Sequence, residues 1–158
     1  MFFQNRKNII AFSVISVFIL ASDLISKYLL TNKNFVLIKN VLTIFYKENT
    51  GAAGSMLEDK TGLLIILSIV FIIALFVFDY FLKDKNMFYT ISFALVVSGA
   101  IGNLYDRIVF GFVRDFIRVD FIYFPYIFNI ADMALTVGVT MLCIFFVFCY
   151  KPKQKGEK

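Results

Sequence analysis

Four long apolar runs limit what this chain can become more than anything else in it. Residues 9–28, 63–82, 87–105 and 130–150 each carry at most two charged side chains. Their lengths are close to the ~20 residues that take an α-helix across the hydrocarbon core of a bilayer. With 60% of its 158 residues hydrophobic and 17% charged, the chain has too little polar surface to cover a water-soluble globule of that size. The pattern predicts an all-α integral membrane protein: a single domain, without internal repeats, built as a bundle of four transmembrane helices.

The first run follows Arg6 and Lys7, as the core of a cleavable leader would. No small-x-small cleavage site comes after it, and it continues through Asp23 and Lys27 at helical spacing, so it reads as a transmembrane helix. Between the first two runs, residues 34–60 are expected outside the bilayer. Within them Phe35–Ile38 turns at Lys39–Asn40 into Val41–Tyr46, a β-branched, apolar stretch too short and too interrupted to span. It predicts a hairpin lying at the membrane surface. Residues 106–129 form the second long loop, and the basic tail 151–158 is expected to lack fixed structure.

Arg6, Lys7, Lys83, Lys85, Lys151, Lys153, Lys155 and Lys158 crowd the N-terminal tail, the tight turn between the second and third runs, and the C-terminal tail. The other basic residues are spread through the longer loops. This density predicts that both termini are cytoplasmic. The net charge of +5 suits anionic lipid headgroups and not nucleic acid, because no continuous basic face is available to track phosphates. Without any Trp, interfacial anchoring falls to Tyr28, Tyr80, Tyr105 and Tyr150.

The absence of histidine removes Ser–His–Asp and Cys–His catalysis, together with the commonest zinc ligand. Cys143 and Cys149, six apart in one apolar run, fall on roughly opposite helix faces and read as packing residues. Carboxylate and lysine chemistry remain. Asp23 and Lys27 lie late in the first run, Asn103, Asp106 and Arg107 close the third, and Asn129 and Asp132 open the fourth. An up-down bundle puts all of them at its outer end. A transporter would place its polar site near the midplane between structural repeats, so a one-ended cluster speaks for a site working at the interface.

Asp23 and Lys27 are four apart, which suits either an ion pair within one helix or a role in holding substrate. Ser26 beside Lys27 raises a Ser–Lys peptidase, but neighbouring helical side chains diverge by about 100° and do not meet. Asp79 and Lys83, near the inner end, read as a structural ion pair. Ala94, Ser98 and Gly102, with Ala134 and Gly138, predict close approach of the third and fourth helices, bringing Asn103–Arg107 opposite Asn129–Asp132. Asp115 in GFVRDFI and Asp132 in FNIADMA have apolar flanks. Either alone reads more readily as a hydrogen-bonded structural residue. Brought together they would share a proton, one ionised to activate water and the other protonated to polarise a scissile carbonyl.

Five segments, in order, carry a resemblance: DLISK at Asp23–Lys27, NTGAA at Asn49–Ala53, GAIGNLYDR at Gly99–Arg107, GFVRDF at Gly111–Phe116 and FNIAD at Phe128–Asp132. On these the chain resembles the bacterial lipoprotein signal peptidases, or signal peptidase II family. The resemblance implies an aspartic endopeptidase of the bacterial cytoplasmic membrane that cuts diacylglyceryl-modified prolipoproteins just before their lipidated Cys. It implies Asp115 and Asp132 as the catalytic pair, near the outer face, with Asp23, Lys27, Asn49, Gly51, Asn103, Asp106, Arg107 and Asn129 lining the site or holding substrate. Asp106 would organise Arg107 and the loop.

It further implies no metal and no organic cofactor, membrane lipids and lipidated prolipoproteins as partners, inhibition by globomycin-type peptides, and a monomer. The hairpin would be an extracytoplasmic β-cradle, and Gly54–Lys60 a mobile surface helix. Gly54, Ser98 and Arg114 depart from the family's usual pattern. The direction of Arg114 decides whether it bears on the ionisation of Asp115, and the sequence leaves that direction open.

Overall fold

The computed structural model describes residues 5–51, 57–83, 85–120 and 126–150. Four helices, α1 (Arg6–Leu30), α2 (Thr61–Phe81), α3 (Met87–Phe110) and α4 (Ile130–Ile144, continued by a π turn over Phe145–Cys149), are long and apolar enough to cross a membrane. Local chemistry sets their ends. The Asn5 side chain accepts from the Lys7 amide at 3.0 Å to open α1, and Asn86 accepts from the Tyr89 amide at 2.8 Å to open α3. Gly111, at φ +82°, closes α3 in the left-handed conformation that costs glycine nothing. Helix α3 therefore runs on past Tyr105, and Asp106 and Arg107 are helical residues instead of loop residues.

The hairpin anticipated from the β-branched stretch is present as β1 (Asn34–Ile38) and β2 (Leu42–Asn49), with Asn40 at φ 60° in the turn. It is half of a larger element. The second loop contributes β3 (Val113–Val119) and β4 (Tyr126–Phe128), completing a four-stranded antiparallel sheet in the order β1-β2-β3-β4. Ile44 faces Ile117 and Lys47 faces Asp115, with a register irregularity between them. Of the expected surface helix, residues 57–59 form a turn and 54–56 lie outside the described residues, as does the tail 151–158.

Helix α3 is the axis of the bundle, packed against α4 and α1 and, more lightly, against α2. Small residues make the α3–α4 contact possible. A Cβ on Gly138 would sit 2.7 Å from Val96 Cγ2 and 2.9 Å from the Ser92 carbonyl oxygen, and Gly99 is packed on the Ala131 carbonyl. At the end of the bundle away from the sheet, Leu82, Tyr89, Phe93, Val97 and Phe145 form an apolar cluster. There Asp79 is fully buried, paired with Lys85 Nζ at 2.7 Å and accepting from Tyr89 Oη at 3.0 Å. The salt bridge is made by Lys85 and not by Lys83: α2 stops at Phe81, so the residues beyond it no longer follow the helical spacing that pairs residues four apart. The outer faces of α1 and α2 expose Val14, Val17, Phe18, Ile66, Ile73 and Val77, a surface that calls for lipid contact.

Candidate active site

The site is built around the start of α4. Asn129 is its N-cap: the side-chain oxygen accepts from the Asp132 amide at 2.9 Å, while Asp132 Oδ2 accepts from the Asn129 amide at 3.2 Å. This reciprocal capping box fixes Asp132 by the same bonds that begin the helix. Strand β3 delivers Asp115 alongside, 2% exposed. Asn129 Nδ2 donates to Asp115 Oδ1 at 2.7 Å, Asn49 Nδ2 donates to Asp115 Oδ2 at 2.9 Å, and Asn103 Nδ2 donates to Asp132 Oδ1 at 2.7 Å. Each of the four carboxyl oxygens is thus held by an N–H donor, and three asparagines from β2, α3 and α4 supply the frame. Asn129 Nδ2 also lies 3.2 Å from Asn103 Oδ1, linking the two halves.

Asn49 is itself oriented by the Gly51 amide, which donates to its side-chain oxygen at 3.0 Å, and Arg107 Nη2 donates to the Gly51 carbonyl at 3.0 Å. Arg107 Nε is buried and makes no hydrogen bond among the described residues. Beneath this layer Lys27 and Asp23 are fully buried. Lys27 Nζ is 2.7 Å from Asp23 Oδ2 and 3.4 Å from Asp106 Oδ2, and it donates to Asn103 Oδ1 at 3.2 Å. Asp23 Oδ1 accepts from the Ala131 amide in the first turn of α4 at 2.9 Å. Gly102 is required here, since a Cβ at that position would lie 2.7 Å from Asp23 Oδ2. The Asp23–Lys27 pair is thus an ion pair within α1 that also ties α1 to α3 and α4.

All ten residues anticipated for the site meet at this end of the molecule, but one relationship differs. Asp106 holds the segment that follows α3, as anticipated, but among the described residues its hydrogen bonds go to Arg114 and not to Arg107. It accepts from the Arg114 amide at 3.0 Å, from Arg114 Nε at 3.2 Å and from Arg114 Nη2 at 2.8 Å. Asp106 and Arg107, adjacent on a helix, point in different directions, the geometry that also separates Ser26 from Lys27. Arg114 is the residue that sequence reasoning left without a role. Its place follows from the strand: with Asp115 facing Asp132, its neighbour on β3 faces the other way, toward Asp106, a relation that GFVRDFI does not reveal until the strand is known.

Burial, reinforced by the negative charge of Asp132, pushes the Asp115 carboxyl up to about 7, against the opposing hydrogen bonds from Asn49 and Asn129. At neutral pH such a group exchanges a proton readily. A cavity of about 520 Å³ opens beside the pair, lined by Tyr126, Phe128, Asp132, Met133, Leu135 and Val137 among others, with Asp132 its one charged wall among the described residues. A carboxyl pair of which one member, Asp132, lines an apolar groove can carry out general acid–base hydrolysis of a bond presented there.

Comparison with known proteins agrees with this chemistry. The family model described as signal peptidase (SPase) II matches residues 15–148. A lipoprotein signal peptidase of Caldanaerobacter subterraneus is 38% identical over 125 residues, covering 79% of this chain and 84% of that protein. One of Enterococcus faecalis is 35% identical over 158 residues, covering 94% and 95%. A solved structure described as a bacterial membrane enzyme, determined by the in meso method at 2.3 Å resolution, superposes with a TM-score of 0.82 at 33% identity over 93% of both chains. The matched span takes in the asparagine frame, both carboxyls and all but the outermost turns of the four helices, and the chain belongs to the signal peptidase II family of membrane peptidases.

Proposed function

We propose that this protein removes the signal peptide from diacylglyceryl-modified prolipoproteins by cutting just before the lipidated Cys, with Asp115 and Asp132 as the catalytic pair. The observation that carries the assignment is the set of N–H donors holding all four oxygens of the two carboxyls, one of which, Asp132, lines an apolar groove. The relatives named lipoprotein signal peptidase support the substrate class.

One carboxylate takes a proton from water as the oxygen attacks the scissile carbonyl carbon, and the other carboxylic acid protonates the carbonyl oxygen. As the tetrahedral intermediate collapses, the C–N bond breaks, the proton taken from water passes to the leaving amine, and the second carboxylate takes back a proton from the intermediate's hydroxyl, which regenerates the carbonyl and the starting state of the pair. Arg107, whose Nε has no hydrogen-bond partner among the described residues and whose Nη2 reaches Gly51, suits the substrate backbone. Asp23, Lys27, Asn49, Asn103, Asp106 and Asn129 act by holding the pair.

The substrate enters sideways along α4, its acyl chains staying in lipid. The sheet serves as a cradle on the outer side of the cytoplasmic membrane, with both termini in the cytoplasm. The density of basic residues at the opposite end supports that orientation. The working unit is the monomer, and globomycin-type peptides occupy the substrate's place. The test is cleavage of a diacylglyceryl-modified prolipoprotein peptide by purified protein in detergent. Wild type cuts before the lipidated Cys, while Asp115→Asn and Asp132→Asn, still folded, lose at least about 1000-fold in kcat. Near-normal turnover in either variant would move the catalytic carboxylate elsewhere.

A further inference from the structure

Below the carboxyl pair runs an alternating row of charges: Asp23 and Lys27 from α1, Asp106 from α3 and Arg114 from β3. All four are buried, Arg114 at 8% exposed. Two acids and two bases make the row neutral. Arg114 contributes its last positive charge and does so with a complete grip, its backbone amide, Nε and Nη2 all directed at the one Asp106 carboxylate. Its guanidinium also lies 4.3 Å from the centre of the Phe110 ring, which locks the side chain against α3.

From this arrangement we infer that Arg114 is a positioning residue for both members of the carboxyl pair, an inference that rests on the catalytic reading above. It acts along two routes. The first is through the backbone: the Arg114 amide bonded to Asp106 fixes the peptide immediately before Asp115, and so the direction in which that side chain leaves β3. The second is through charge. Because Arg114 satisfies Asp106, Lys27 stands off from Asp106 at 3.4 Å and keeps its 3.2 Å hydrogen bond to Asn103 Oδ1. That bond holds the Asn103 amide with its nitrogen 2.7 Å from Asp132. Without Arg114 the row carries one net negative charge, Lys27 is drawn toward Asp106, and Asn103 loses the contact that sets its orientation.

A lysine at 114 would restore the charge but not the fork, so the two routes separate experimentally. The charged and titratable groups around Asp115 are Lys27 of α1, Lys47 and Glu48 of β2, Asp106 and Arg107 of α3, Tyr126 of β4 and Asp132 of α4. None of them changes in Arg114→Val or Arg114→Lys. Two measurements on the full chain in detergent test the inference: steady-state cleavage of the lipidated peptide, and titration of Asp115 followed by carboxyl-carbon NMR of aspartate-labelled protein, which needs no turnover.

Arg114→Val should lose about 10- to 100-fold in kcat with KM little changed, and the Asp115 midpoint should move to higher pH because the row of charges, with Asp106 no longer paired, then carries one net negative charge. Arg114→Lys should return the midpoint to its wild-type position while recovering only part of kcat. An unchanged kcat and midpoint in Arg114→Val would overturn the inference, as would equal losses in both variants at a wild-type midpoint. If Arg114→Val does not fold, Arg114→Lys decides: reduced kcat at a wild-type midpoint supports the role, and full kcat overturns it. Should wild type fail to cut the peptide, the catalytic reading falls, while the NMR midpoints still show whether Arg114 governs Asp115.

Discussion

Asp115 shows how burial turns an ordinary side chain into a reactive one. Its folded carboxyl titrates at about 7, well above the ordinary value of 3.8. Where a folded carboxyl is raised above its unfolded value, the unfolded chain ionises first as pH climbs. Stability is therefore highest below the unfolded value and declines until pH passes the folded one. The melting temperature of wild type in detergent should fall between about pH 4 and pH 7 and then level, and Asp115→Asn should flatten that dependence whatever its absolute stability. A slope that survives the substitution would locate the titrating group elsewhere. Asparagines do the holding because a carboxyl that must change protonation state is better gripped by neutral amides than by cations, which would lock it ionised. This much was legible from residue types and order: carboxyls and amides at three helix ends. The role of Arg114 was not, because it depends on the side of β3 from which the residue projects, and GFVRDFI did not announce itself as a strand.

At the level of elements, hydropathy located the helices and small residues predicted their contact. The sheet was half legible. Phe35–Tyr46 has the β-branched composition and turn of a hairpin, whereas in β3 the consecutive residues Val113 to Phe116 are all buried, which erases the alternation that marks a strand. The partner of Asp79 was hidden for a related reason, since Lys85 reaches it only through the path of a turn. The α3–α4 contact makes a direct prediction. Gly138→Ala pushes a methyl group into Val96, Leu95 and the Ser92 carbonyl, and should cost about 1–3 kcal/mol, read as a lower melting temperature. Gly62→Ala, in the first turn of α2 with nothing within 4 Å of the added carbon, should be neutral or slightly stabilising. Equal losses in the two variants would mean that the helix contact is looser than the packing indicates.

For the whole molecule, four spans return the chain to the side on which it began. The proposed orientation, with both ends in the cytoplasm, predicts that green fluorescent protein fused after Lys158 fluoresces and that alkaline phosphatase fused there is inactive; the reverse pattern would invert it and put the sheet inside. The route of the chain also sets a schedule. Strand β2 must wait for β3, which leaves the ribosome only after α2 and α3, and Asp115 gains its Asn129 donor only when α4 begins. A nascent chain carrying its first three spans therefore holds one carboxyl of the pair without the other, and without the asparagine that grips both. With the pair catalytic as proposed, a protease made inside the membrane it serves stays inert through its own insertion, and is armed by the arrival of its last helix.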